Sequence, residues 1–219
     1  MNSEGEGALA ARLAPSAPRR LVGVGYDDAP PPGPARVVEF CARRGIAPGY
    51  LLYAGRREAA KGVPLLFSHY AALRRARPDA PPLALMGSGD LPVPAGLADH
   101  VLELGYVPDA DRDAAYAAAA VLVHPSTMES LGMVMLEAWL AGTPALVNAG
   151  SPVLLGHCRT SGGGLWFAAE DEFVEAAALL LDDPGLRGDL AAAGAAYTRE
   201  TFSWPDVRRR FLEALEEWS

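Results

Sequence analysis

Short runs of consecutive apolar residues alternate along this chain with longer stretches whose apolar positions recur every three or four residues. The runs at 50–55, 83–87, 101–107, 121–124, 145–148 and 165–168 are too short for helices and predict strands. The periodic stretches at 35–45, 62–77, 110–119, 133–141, 171–181, 186–198 and 205–218 predict helices, several ended by Gly or Pro. Residues 4–13 add a short helix and 20–25 a further strand, followed by a stiff proline-rich connector at 29–34. Near-continuous apolar strands interleaved with helices predict an α/β fold, a doubly wound parallel sheet of Rossmann type covered on both faces. The expected division is an N-terminal segment and linker at 1–34, one Rossmann-like domain at 35–203 and a terminal helix at 204–219.

The most informative segment is HPSTMESLGMVMLE, residues 124–137. It sets two carboxylates, Glu129 and Glu137, around a Ser130-Leu131-Gly132 turn that opens a helix at Met133. Glu129 falls on the loop at the carboxyl end of a strand, where open α/β sheets bind ligands. The N–H groups at the helix start form an anion seat beside it. An acid next to an anion seat suits a polyhydroxy, phosphorylated ligand.

A second βα loop, Gly55-Arg56-Arg57-Glu58-Ala59-Ala60-Lys61-Gly62, carries cations able to neutralise a diphosphate. Lys61 is the single lysine beside 18 arginines. A sequence that has otherwise abandoned lysine points to a compact ammonium that matters at this place. Gly87-Ser88-Gly89 follows another strand and allows close approach of a nucleotide, but Leu91-Pro-Val-Pro after it excludes a nicotinamide fingerprint. Asp109, Asp111 and Asp113 resemble a metal-holding DxD, yet they open a helix, where acids cap the N-terminal dipole. No metal is therefore expected. His124 ends a strand beside the site and reads as packing rather than chemistry.

Charge narrows the class further. A formal net charge of −8 without a basic stripe argues against nucleic acid, and Arg208, Arg209 and Arg210 read as a solvated helix face among glutamates. Cys41 and Cys158 have no ligand spacing, which predicts buried thiols in a reducing, cytoplasmic setting. Neither a leader nor a membrane span is indicated by apolar run length.

Taken in order, GR-x4-KG, LMGSGD, LGYV, P-S-x2-E-x-x-G-x4-E-A-x3-G-x-P and FSWPDV resemble the C-terminal half of the group-1 retaining glycosyltransferases of the GT-B type, from residue 50 onward. The resemblance implies a nucleotide-sugar donor, transfer with retention and no metal or other cofactor. Arg56 and Lys61 would bind the diphosphate and stabilise the charge developing on it. Glu129 would face the donor sugar and Glu137 the ribose. Gly55, Gly87 and the main chain of Ser130, Leu131, Gly132 and Met133 would cradle sugar and phosphate, while the turn ending at Val107 would read the base.

Two departures accompany the resemblance. An acceptor-binding first domain is expected to be missing, and Leu154 stands where many members carry Glu. The expected partners are a nucleotide sugar and an N-terminal acceptor domain or subunit, with self-association open to the terminal helix face Val207, Phe211, Leu215 and Trp218. Two alternatives stay open: a non-catalytic nucleotide-sugar sensor, and an epimerase half-domain, for which the chain offers no convincing proton-abstracting base.

Overall fold

The computed structural model describes residues 1–27 and 29–218, with the side chain of Trp218 outside that description. After α1 (Glu4–Leu13) and α2 (Pro34–Arg44) the chain enters β1 (Tyr50–Ala54), α3 (Val63–Ala76), β2 (Leu83–Met86) and β3 (Val101–Gly105). It continues through α4 (Asp109–Ala117), β4 (Ala119–His124), α5 (Met133–Leu140), β5 (Ala145–Asn148), α6 (Pro152–Ser161) and β6 (Gly164–Phe167). Three helices follow: α7 (Glu170–Asp182), α8 (Pro184–Phe202) and α9 (Trp204–Trp218).

The six strands form one sheet in the order β3-β2-β1-β4-β5-β6, every pair parallel. This is the doubly wound fold expected from the alternation. All five residues of β1 are buried, because side chains alternate between two helix-covered faces. Leu51 and Tyr53 meet Leu66, Tyr70 and Phe173 on one face, while Leu52 and Ala54 meet Leu136, Trp139 and Tyr116 on the other. Trp139 is wholly buried and its indole N–H donates to the Gly163 carbonyl at 2.7 Å.

Several expectations are corrected. Residues 20–25 are not a strand: the amides of Val22 and Gly23 both donate to the Met1 carbonyl (2.9 and 3.1 Å), and Gly23 has φ 83°. Extension is interrupted there, and only Tyr26 makes a single parallel bridge, to Ser203. The strand expected to reach Val107 ends at Gly105, whose φ of 62° turns the chain. Helix α6 is absent from the expected elements, since Gly156 and the polar Arg159-Thr160-Ser161 obscure its period. Ser151 nevertheless caps it, its Oγ accepting the Leu154 N–H, with Pro152 in the first turn.

Arg210 does not belong to a solvated face, because its guanidinium donates to the carbonyls of Val22 and Thr201 and ties α9 to the N-terminal segment. The apolar face of α9 divides: Val207 is buried, whereas Phe211 and Leu215 are about half exposed. Trp218, the fourth residue of that expected face, has its side chain outside the described part. Both cysteines are buried free thiols. No described helix is long and apolar enough to cross a membrane.

Candidate functional site

The strand order reverses between β1 and β4. From β1 the chain winds outward to β2 and β3, then returns to β4 on the other side. Loops leaving the carboxyl ends of these two central strands must splay apart, which opens a crevice. The loop after β1 carries Lys61 and the loop after β4 carries Glu129.

The two loops are brought together by a glycine. Gly62 has φ 76°, and a β-carbon there would lie 2.6 Å from the Pro125 carbonyl oxygen. Only a residue without a side chain lets the β1 loop lie against the β4 loop at that distance. Lys61 Nζ thereby reaches Glu129 Oε1 at 2.8 Å, both side chains being largely buried. His124 Nε2 stands 3.9 Å from the same oxygen. Burial pushes the His124 imidazole down to about 4 against the opposing pull of Glu129, so it is neutral beside the pair at pH 7.

Around this pair lies a cavity of about 220 Å³, lined in part by Gly55, Lys61, His124, Glu129 and the 130–134 turn. Gly132 adopts φ 78° as the N-cap of α5, and a β-carbon there would meet Leu154 Cδ2 at 2.5 Å. Leu154 thus roofs the turn with a methyl group where a carboxylate is frequent in the resembled family. The Met135 N–H bonds the Gly132 carbonyl at 2.9 Å, and Met133 and Val134, the first two residues of α5, line the cavity at the positive end of the helix dipole. Tyr53 donates its hydroxyl to the Arg56 carbonyl at 2.6 Å and braces the loop from beneath.

The remaining expected residues are distributed differently. Arg56 is exposed and paired with Glu58 at 2.9 Å, outside the cavity lining. Gly87 lies behind Gly55, where a β-carbon would collide with the Gly55 carbonyl. Val107 turns its side chain into the core. Glu137 opens onto a second cavity of about 360 Å³, which shares Met133 with the first and is walled by Tyr26, Pro30, Pro31, Pro32 and Arg112. The Tyr116 hydroxyl donates to Glu137 Oε2 at 2.8 Å, and burial raises the Glu137 pKa. Asp109 and Asp111 are engaged by cations: Arg112 bonds Asp109 at 2.7 Å and Arg43 grips both oxygens of Asp111.

Asn2 and Ser3 were missed by sequence reasoning. Asn2 lines the first cavity, and the Ser3 Oγ donates to the Ser130 carbonyl at 2.7 Å while capping α1. The S-x-x-E pattern at Ser3 and Glu6 signalled the cap, but nothing local signals a partner 127 residues away. A larger depression along α9, about 720 Å³ and lined by Trp204, Arg208 and Leu212 among others, lies outside the crevice. Volume alone does not select the site.

Comparison with known proteins identifies the family and the fold. Residues 46–197 match the family model described as glycosyl transferases group 1. The D-inositol 3-phosphate glycosyltransferase of Pseudarthrobacter chlorophenolicus is 34% identical over 217 aligned residues, covering 88% of this chain and 51% of the relative. The O-antigen chain mannosyltransferase B of Escherichia coli is 30% identical over 186, covering 77% and 46%. The chain spans about half the length of the curated relatives it matches. In fold, the Anabaena Alr3699/HepE structure in complex with UDP and glucose superposes with a TM-score of 0.83 at 19% identity, over 99% of this chain and 62% of that one. The C-terminal domain of the Francisella tularensis group 1 glycosyl transferase LpcC superposes with 0.65 at 17% identity, over 82% of this chain and all of that domain. On its match to that family model over residues 46–197 and its 34% identity to a curated relative across most of its own length, this chain belongs to the group 1 glycosyl transferase family.

Proposed function

We propose that this chain is the donor-binding part of a nucleotide-sugar glycosyltransferase that transfers a sugar with retention of configuration. Residues 35–203 hold the donor, and an acceptor-binding domain outside this chain completes the cleft. The observation that carries the reading is the Lys61–Glu129 pair at 2.8 Å over the N-terminal turn of α5. When a donor enters, Lys61 exchanges Glu129 for the diphosphate and offsets the charge that develops on it as the glycosidic bond breaks. The released Glu129 accepts sugar hydroxyls. Backbone N–H groups of the 130–134 turn hold sugar and phosphate. Arg56, exposed on the same loop, adds a second cation by exchanging Glu58 for phosphate.

Glu137 receives the ribose in the adjoining cavity, with the main chain near Val107 and Gly87 toward the base. We assign no metal to the transfer: two of the three aspartates resembling a metal motif, Asp109 and Asp111, are engaged by arginines, and Lys61 supplies the neutralising charge. Relatives named for inositol phosphate and mannosyl transfer are consistent with a sugar donor.

Calorimetric titration with UDP-, GDP- and ADP-sugars tests the reading. One donor binds the wild type, and Lys61→Ala weakens it by about 10- to 100-fold, the loss of one charge-assisted contact. Absence of binding by all three, or equal binding by the variant, would sink it. Binding without transfer after a matching acceptor domain is supplied would favour a sensor instead.

A further inference from the structure

We infer that Arg112 is a positioning residue for the donor's ribose, acting through Glu137: from α4 it faces that carboxylate across the cavity wall and supplies the positive charge beside it. The inference rests on the donor-binding reading above and adds a residue that the family motifs do not include.

Glu137 lies on α5 with its side chain largely buried at the wall of the 360 Å³ cavity. Burial there favours the neutral acid. From α4, Asp109 and Asp113 add negative charge that favours it further. Tyr116, also on α4, donates its hydroxyl to Oε2, which favours the ionised form, and Tyr26 faces the carboxylate from the N-terminal segment beside Asp27. Helix α5 itself contributes no other ionisable side chain.

Arg112 acts with the Tyr116 hydroxyl against the burial and the aspartates, and it is the only cation among the described residues lining that cavity. Its Nη1 is anchored on Asp109 Oδ1 at 2.7 Å, three residues earlier on the same helix. Its Nε lies 3.7 Å from Glu137 Oε2, is buried and has no hydrogen-bond partner. A buried N–H facing a carboxylate just beyond bonding distance is a contact that a small side-chain adjustment completes. Tyr116 and Arg112 both address Oε2. Oε1 is therefore the oxygen left to accept ribose hydroxyls.

The test titrates UDP-glucose, GDP-mannose and ADP-glucose, whose diphosphate diesters do not change charge in the range, at about pH 8 and about pH 6. Arg112→Leu is expected to bind the preferred donor within about threefold of wild type at the higher pH and about tenfold more weakly at the lower. Arg112→Lys restores the wild-type profile. In ligand-free protein, the Glu137 carboxyl midpoint followed by carbon NMR moves upward in Arg112→Leu. Equal affinity at both pH values, equal loss at both, or an unmoved Glu137 midpoint overturns the inference. Glu137→Gln separates the two readings: wild-type affinity in that variant rejects Glu137 as the ribose contact, whereas the Arg112 results judge the positioning role.

Discussion

Replacing Gly62 by alanine perturbs the joint that brings Lys61 to Glu129, and its cost divides into two parts. The first is conformational. A residue with a β-carbon at φ 76° costs about 1–2 kcal/mol, partly offset by about 0.4–1 kcal/mol from a less flexible unfolded chain. The second is steric. The new methyl would lie 2.6 Å from the Pro125 oxygen and 2.9 Å from its carbonyl carbon, backbone atoms that cannot rotate away, which adds about 1–3 kcal/mol. Gly45 provides the internal control: its φ is 64°, and a methyl group added there would meet nothing within 4 Å. Urea unfolding is therefore expected to show a loss of about 1 kcal/mol for Gly45→Ala and about 2–4 kcal/mol for Gly62→Ala. At about 2–4 °C per kcal/mol for a chain of this length, the thermal midpoints separate clearly. Donor affinity falls in Gly62→Ala and not in Gly45→Ala. If both variants lose the same stability, the close approach of the two loops is not what Gly62 provides, and the argument fails.

Stability also depends on pH through two buried histidines. Burial depresses His124 and His157 from 6.5 to about 4, so on acidification the unfolded chain takes up protons first. Their contribution is complete above about pH 6.5 and is lost as pH falls toward 4, roughly 3 kcal/mol for each. Urea midpoints between pH 7 and 4.5 should fall less steeply in His157→Asn than in wild type; parallel profiles would refute the assignment. Trp139→Phe removes the donor to the buried Gly163 carbonyl and leaves space beside Gly194, against which the indole is packed. A loss of about 2–4 kcal/mol is expected, and a loss under about 1 kcal/mol in chemical denaturation would mean that the carbonyl finds another partner.

Strands and helices were legible wherever the apolar period was strong. The buried runs around Leu51, Leu122 and Leu146 became central strands because a parallel sheet under two helix layers requires apolar residues on both faces. Where local pattern was ambiguous, tertiary context decided. Residues 20–25 have strand-like composition, but the Met1 carbonyl takes the amides of Val22 and Gly23. Helix α6 hid behind Gly156, although Ser151-Pro152 was a readable start signal. The chemistry-bearing residues Lys61 and Glu129 were also readable, since a lone lysine and an acid after an apolar run stand out in any register. Arg112 was not, because one arginine among 18 becomes informative only when a carboxylate faces it.

By itself, then, the sequence determined the fold class, the family and the two loops on which the proposed donor site rests. These are encoded locally, in apolar period, turn residues and motif spacing. Only the tertiary structure decided that Lys61 pairs with Glu129, that Arg56 stands in solvent, that Glu137 opens onto a separate cavity, and that Asn2 and Ser3 reach the site from the other end of the chain. Each of those relations joins residues far apart in sequence, and their distances follow from the reversal of strand order between β1 and β4. Packing against both layers of helices fixes that reversal, and no window of neighbouring residues contains it.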